Sequence, residues 1–499
     1  METILQLGGH RLPARLPGEP RVTDGGLIIP AGDVQILHPF GATNFYRHGW
    51  NSYSPTSWWP LGGDPLRIPE ESRRLTADDI DNDSPWRHGG SAVGAIDGPD
   101  GNVLLLGGLG LDVPRVEADG RMLAGHLETG DADWFLAYGP EEQVFRRYAD
   151  LLGERLGHRT PSAGNVWCSW YSFFEDITEP LIHKVLEDLR GYPFDVVQLD
   201  DGWERCVGDW EANADFPSGM ADMASRIRDH GFTPGLWLSP FIAPAQSEIY
   251  RTRPHLFLHD EHGDPKPAGF NWGNSYFALD TTLPETRDHL VDTFQKVRDW
   301  GYRYLKLDFM YAGALSGARH QDVPREEAYR DAARLIREVA GEDTYLLGSG
   351  VPVIPSIGIF DGIRVSPDVA PYWDNSERST DYSGAGARNA VIASLHRLWL
   401  RPLLEVDPDP VFFRTRYNLL DDDTKRLLVD LAHICGFRAV SDPVEWLDEP
   451  ERRALTAFLT ERPEVRRVDR YRFTIDGRDV DFEPYVNPTG RVSDRLLVK

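Results

Sequence analysis

The hexapeptide YLKLDF, Tyr304 to Phe309, sets a lysine and an aspartate two positions apart inside a run of strand-forming residues. Tyr, Leu and Phe favour a pleated, half-buried surface, and a period of two sends Lys306 and Asp308 to the same side of it. Opposite charges on a face meant for apolar side chains point to chemistry. Comparable charges stand at the ends of other apolar runs: Asp200-Asp201 after VVQL, and Arg364 and Asp368 in GIRVSPD. Aromatic residues accompany them, with Trp170 and Tyr171 after NVWCS and Trp237 in TPGLWLSP. Taken singly, Asp201 before a glycine reads as a turn residue and Asp368 after a proline as a turn or helix cap. Their joint placement calls for a common site.

Several carboxylates in one cleft fit either a metal site or carboxylate acid–base work. Transition metals favour histidine ligands at such positions, and none of the eight predicted strand ends carries one. His320 falls in a loop, and His396, beside Arg397, opens a predicted strand. An all-oxygen magnesium site stays open, although Lys306 and Arg364 would compete with a cation. Paired-carboxylate glycoside chemistry accounts better for the set. One carboxylate attacks the anomeric carbon, while the other protonates the departing oxygen and later activates water. Trp50, Trp58, Trp59, Trp167, Trp170, Trp203, Trp210, Trp237 and Trp272 gather near predicted loops and strand ends. About half of them are expected in ordinary core packing; the rest suit the C–H face of a pyranose ring.

These residues need a scaffold that brings strand ends together. From NVWCSW onward, short apolar runs alternate with helical patterns: NVWCSW, FDVVQLD, TPGLWLSP, YRYLKLDF, TYLLGSG, GIRVSPD, HRLWLRP and FRAVSD. Helices are expected over LIHKVLEDLRG, MADMASRIRDHG, TRDHLVDTFQKVRDWG, REEAYRDAARLIREVAG and DTKRLLVDLAHICG, several of them stopped by glycine. This alternation predicts an α/β fold, a (β/α)8 TIM barrel over residues 161–445, with its active site at the C-terminal strand ends. Residues 1–140 carry apolar runs cut by Gly, Pro and Asp clusters, the pattern of an N-terminal β-sandwich domain. A helical linker is expected over 141–160, with Val144, Tyr148, Leu151, Leu152 and Leu156 as its apolar stripe. Residues 446–499, with RYRFTIDG and VDFEPYV, read as a small C-terminal β domain.

Composition narrows the partners. The chain has 499 residues and a net charge of −26, so nucleic acid and anionic membrane surfaces are poor partners. A neutral small molecule fits better, and a homo-oligomer is left open. Only six of the 53 basic residues are lysines, which singles out Lys306 within its apolar strand. Cys168, Cys206 and Cys435 are odd in number and far apart, so no disulfide framework is expected. Neither a signal-peptide pattern nor a membrane-length apolar run is visible. The expected location is the cytoplasm, or the exterior without a visible signal.

In series, VWCSWYSFF, VVQLDDGWE, GDWEANADFPSGM, GFTPGLWLSPF, YLKLDF and GIRVSPDVAPYW resemble the α-galactosidases (melibiases) of glycoside hydrolase family 36, especially their short bacterial and thermophilic members. RHGWNSYSP resembles that family's tryptophan-bearing N-terminal loop, and the likeness runs from about residue 45 to 445. The resemblance implies a retaining double displacement with Asp308 as nucleophile and Asp368 as general acid/base, without a cofactor or metal. It implies an exo-acting enzyme on terminal α-galactosyl units of melibiose- or raffinose-type oligosaccharides. Asp200 and Asp201 match the acidic pair that holds the galactose O4 and O6 hydroxyls. Lys306 and Arg364 match residues bonding the ring hydroxyls and the nucleophile, and Trp237, Tyr171 and Trp50 match the aromatic wall.

Two expectations about tuning follow. Lys306 should hold Asp308 ionised by Coulomb attraction. Asp368 should be desolvated by Val369, Pro371, Tyr372 and Trp373, so that it enters the cycle protonated. Two departures stand out as well. Ser349 in GSG replaces the family's cysteine near the C2 hydroxyl, which keeps an α-N-acetylgalactosaminidase open beside a transglycosylase. WLRPLLEVDPDP replaces W-L-N-D-P-D on the seventh strand, with the extra residues expected to reshape the aglycone side. From other classes, a metal-dependent barrel hydrolase would need strand-end histidines, and a sugar-binding protein would not need both Asp308 and Asp368.

Overall fold

The computed structural model describes residues 1–82, 84–111, 113–129, 132–375, 380–486 and 497–498. Residues 2–140 build a six-stranded and a seven-stranded antiparallel sheet. Leu12, Val34, Ile36, Val116 and Leu123 of the first sheet share a core with Phe45, Ile96, Leu104, Leu106 and Trp134 of the second. This is the expected sandwich. The strand Asn102–Gly108 shows how it meets the rest of the chain. Leu104 and Leu106 face the sandwich core, while Val103 and Leu105 belong to the large cluster shared with the barrel. Burial on both faces is why the run NVLLLGG is apolar throughout.

The helix Glu141–Leu156 lies on that outer face, with Val144, Tyr148, Leu151 and Leu152 of the predicted stripe buried. A Cβ at Gly107 would meet the Tyr148 ring at 2.4 Å, so only glycine lets helix and sheet approach this closely. Eight parallel strands then form one sheet: β1 Asn165–Cys168, β2 Val196–Leu199, β3 Thr233–Leu238, β4 Tyr304–Leu307, β5 Tyr345–Gly348, β6 Gly362–Arg364, β7 Glu405–Asp407 and β8 Arg438–Val440. Neighbours pair in chain order from β1 to β7, β8 pairs with β1, and a bridge between Val411 and Val440 joins the β7 side to β8. The barrel is therefore the expected (β/α)8 type.

Alternation within the strands sets what fills the barrel. At one end Val166, Val196, Tyr304, Leu347, Phe437 and Ala439 pack together, with the Tyr304 and Tyr345 rings stacked at 5.2 Å. One pleat further toward the C-terminal ends come Cys168, Gln198 and Lys306, which all reach the carboxylate of Asp200. Lys306 and Asp308 are thus interior groups because they share a phase with Tyr304. Leu305 and Leu307, in the other phase, join the large cluster outside the sheet.

The seventh strand departs from expectation. HRLWLRP is the end of a helix, Ala387–His396, followed by a 3-10 turn at Leu398–Leu400, and the strand itself is Glu405–Asp407. Every residue of that helix is buried, so it presents no amphipathic stripe to read. The C-terminal part contains the helix Glu449–Thr460 and a three-stranded antiparallel sheet of 465–467, 472–475 and 478–481. EPYV, read as strand, is one helical turn, and the rest of the expected β domain lies outside the described residues apart from 497–498. Among the described residues no helix is long and apolar enough to cross a membrane.

Candidate active site

Asp308 leaves the end of β4 and is 8 % exposed. The chain turns at once, with Phe309 in the left-handed region at φ 52°. That turn lets the Phe309 amide donate to Asp308 Oδ1 at 2.8 Å. The Tyr53 hydroxyl donates to the same oxygen, and the Trp237 indole donates to Oδ2 at 3.1 Å. Burial pushes the Asp308 carboxyl up, but Lys306, Arg364 and these hydrogen bonds outweigh it and hold its pKa below the usual carboxylate value. Lys306 helps as expected, through space. Its ion-pair partner, however, is Asp200 at 2.8 Å on β2. Burial would strip the Lys306 proton; Asp200, Cys168 and Asp308 prevail and raise its pKa instead.

Tyr53 is the residue that sequence reasoning missed. It comes from the sandwich loop RHGWNSYSP, which runs against the segment after β5: Ser52 N donates to Val351 O at 2.9 Å and Val353 N to Trp50 O at 3.0 Å. Asn51 Oδ1 accepts from the amides of Tyr53 (2.9 Å) and Ser54 (3.1 Å), a turn that throws Tyr53 into the barrel mouth. There its hydroxyl also lies 3.1 Å from Ser349 Oγ. Arg397, wholly buried and without a carboxylate partner among the described residues, pins the loop by donating to the carbonyls of Gly49, Asn51, Ser52 and Ser54 at 2.6–3.3 Å. It also donates to Val365 O at 2.7 Å, and burial pulls its pKa down to about 9. Trp50, expected in the aromatic wall, faces away from the site: its indole donates to Glu326 Oε1 at 3.0 Å. Glu326 is buried against the sandwich, and that burial pushes its carboxyl up to about 8.

Asp368, beyond β6, sits differently. Its side chain is 43 % exposed and pairs with Arg364, so it is not desolvated in the way the sequence suggested. Arg364 itself is 1 % exposed and does not line the cleft. Burial opposes its charge, but Asp409 and Asp368 outweigh it and keep the guanidinium protonated. Tyr171 lies in the same layer, its hydroxyl donating to Asp409, and it too is beneath the cleft rather than in its wall. Trp170 lines the cleft in its place.

Asp200 Oδ2 accepts from Lys306, from Gln198 Nε2 at 2.6 Å and from the Cys168 thiol at 3.5 Å. Its neighbour Asp201 accepts from the Trp272 indole at 2.8 Å. Burial pushes Asp201 up to about 6 and raises Glu204, its hydrogen-bonded neighbour two residues beyond glycine, well above the usual carboxylate value. Glu204 stood in VVQLDDGWE, but nothing in that run marks it as facing Asp201.

Asp200, Asp201, Trp237, Lys306, Asp308 and Asp368 therefore line one cleft of about 300 Å³. Tyr53 and Trp170 join them, and the rim carries Phe270, 71 % exposed, on the hairpin 267–278 after β3. The arrangement combines a buried anion, a half-open carboxylate and a set of polar and aromatic groups of the kind that orients a sugar ring.

Residues 144–336 match the melibiase family model, which sets the class as barrel glycosidases. A solved α-galactosidase of Thermus thermophilus, in complex with p-nitrophenyl α-D-galactopyranoside, is 46 % identical. It superposes with a TM-score of 0.91 over 97 % of this chain and 100 % of that one. The chain belongs to the α-galactosidases of glycoside hydrolase family 36, the melibiases. More distant relatives include a blood-group A α-D-galactosamine galactosaminidase of Flavonifractor plautii, 27 % identical over 203 residues, which are 37 % of this chain. The α-galactosidase AgaA of Geobacillus stearothermophilus is 28 % identical over 137 residues, or 26 % of this chain. The matched segments cover about a fifth of these curated relatives' lengths, 19 % and 18 %.

Proposed function

We propose that the chain is a retaining, exo-acting α-galactosidase that removes terminal non-reducing α-D-galactosyl residues from melibiose- or raffinose-type oligosaccharides and aryl α-galactosides. One observation carries the reading. A single cleft holds a buried carboxylate kept ionised, Asp308, and a half-exposed one, Asp368, while Asp200, Asp201 and Lys306 crowd the deep wall. The Thermus relative, crystallised with p-nitrophenyl α-D-galactopyranoside and also with stachyose, supports the substrate class.

In the first half-reaction Asp308 attacks C1 from the face opposite the leaving group. The C1–O bond breaks and Asp368 gives its proton to the departing oxygen. Tyr53 and Trp237 fix Asp308 through hydrogen bonds and make attack a matter of small displacement. In the second half-reaction Asp368, now ionised, takes a proton from water as it attacks C1, and Asp308 leaves. Two inversions restore the α configuration. Asp200, held by Lys306 and Gln198, and Asp201, held by Trp272 and Glu204, present acceptors to the O4 and O6 hydroxyls, where an axial O4 distinguishes galactose.

The test is a panel of p-nitrophenyl α-glycosides of galactose, N-acetylgalactosamine, glucose and fucose, with the first-formed anomer followed by proton NMR. Preferred turnover of the galactoside with α-galactose appearing first is the expected result. A β-anomer appearing first would overturn the retaining mechanism. A second reading, α-N-acetylgalactosaminidase, rests on Ser349, whose small hydroxyl stands where the family carries cysteine. Tyr53 already holds that hydroxyl, so the galactoside is expected to win by at least tenfold.

A further inference from the structure

The DPD run that ends β7 lies under Asp368. Asp409, 5 % exposed, is a non-glycine residue in the left-handed region at φ 84°. Its amide donates to Asp407 Oδ1 at 2.8 Å, which turns its side chain back into the barrel. Oδ1 pairs with Arg364 Nη1 at 2.8 Å. Oδ2 accepts from the Tyr171 hydroxyl and from the amide of Val369 at 2.8 Å. Val369 is the residue after Asp368, and the other arm of Arg364, Nη2, pairs with Asp368 itself. One buried carboxylate therefore holds both attachments of the half-exposed one: its cationic partner and its backbone.

We propose that Asp409 is a positioning residue for Asp368, acting through Arg364 and the Val369 amide; the proposal rests on the acid/base role given to Asp368 above. The acid/base must lose and regain a proton in every turnover. If Asp368 were the sole counter-ion of Arg364, each protonation would leave a bare guanidinium buried in the barrel, at a large cost. With Asp409 on one arm, Arg364 stays compensated in both states. Arg364 on its own segment, Asp409 after β7, Tyr171 after β1 and Tyr53 from the sandwich loop act on Asp368 or its segment directly, while Arg73, Asp200, Asp201, Lys306 and Asp308 line the same cleft. The two tyrosines stay neutral, since burial raises both. Of the four, Arg364 and Asp409 therefore supply the fixed charges, and Asp409→Asn leaves the other charges of the cleft unchanged.

The experiment is the pH dependence of kcat/KM on p-nitrophenyl α-galactoside for wild type and Asp409→Asn, with thermal melting as a check on folding. Asparagine removes the charge, so Arg364 acts on Asp368 alone and favours its ionised form. The alkaline limb should move to lower pH by about one unit or more. Loss of rate should be greater with raffinose, whose sucrose leaving group is poor, than with a dinitrophenyl galactoside, whose leaving group needs little protonation. A uniform loss with the alkaline limb unmoved would overturn the proposal. Should Asp409→Asn not fold, Tyr171→Phe carries the test. It takes one donor from Asp409, draws Arg364 toward it and should move the alkaline limb slightly upward; an unmoved or lowered limb would overturn the proposal. If wild type turns over no α-galactoside at all, the failure belongs to the acid/base reading and not to the Asp409 contacts.

Discussion

At the end of β4, Asp308 is enclosed by donors from three parts of the chain; at the end of β6, Asp368 opens to the cleft and leans on one arginine. Asp308 accepts from the sandwich loop, from β3 and from its own following amide. Asp368 has Arg364 beneath and a largely free outer face. The difference fits the division of labour that the proposed double displacement would demand. A nucleophile gains from being immobile, ionised and shielded, because it attacks one atom in one direction. A group that first gives and then takes a proton must remain reachable by the leaving oxygen and by water. The barrel meets both needs by burying one carboxylate within a hydrogen-bonded set and anchoring the other only from below.

The largest effect should come from breaking the enclosed side. Asp308→Ala is expected to lower kcat by at least about 10⁴-fold, the scale of nucleophile removal in covalent catalysis. Azide supplied to that variant should give β-galactosyl azide, never the wild-type configuration, and residual α-product above contamination would sink the assignment. Asp368→Ala should cost less, about 10²–10⁴-fold. Its loss should shrink with a good leaving group, and azide should rescue turnover to α-galactosyl azide. Equal losses on all leaving groups would break the contrast between the two carboxylates.

The enclosed side was the more legible in sequence, and the physical reason is local. Lys306 and Asp308 interrupt a strand whose other residues declare its phase, so their inward direction follows from alternation. Asp200 and Asp201 end a similar run. Asp368 was visible only through GIRVSPD, and its exposure depends on neighbours that fold in from elsewhere. Strand β7 was misplaced because the preceding helix is buried all round and β7 itself spans three residues. The sequence shows Trp50 and Tyr53 in one loop but not which of them the Asn51 turn sends inward. Asp409 and Glu204 were unreadable for a related reason: a carboxylate that serves another carboxylate carries no signature of its own.

Tyr53 joins the two sides, and its removal is the next smaller test. Tyr53→Phe deletes one hydrogen bond to an anion, about 1.5–3 kcal/mol, and should lower kcat/KM by roughly 10–100-fold. The hydroxyl favours ionised Asp308, whose pKa is held low. Without it that pKa rises, so the acidic limb of the profile should move to higher pH while the alkaline limb stays in place. Movement of the alkaline limb instead would mean that Tyr53 serves Asp368.

The smallest effect is expected from Arg397→Lys. The guanidinium ties four carbonyls of the Tyr53 loop to Val365, one residue past Arg364, so it fastens the loop that feeds Asp308 to the strand that feeds Asp368. A lysine keeps the charge but brings three donors in place of a planar fork. Two or so carbonyls would lose their partner, costing about 1–2 kcal/mol of stability by chemical denaturation. A loosened Tyr53 should lower kcat severalfold, with less change in KM and a small upward move of the acidic limb. If stability falls while kcat and both limbs stay fixed, the loop is held by its backbone pairing with Val351 and Val353, and Arg397 only braces the join between sandwich and barrel.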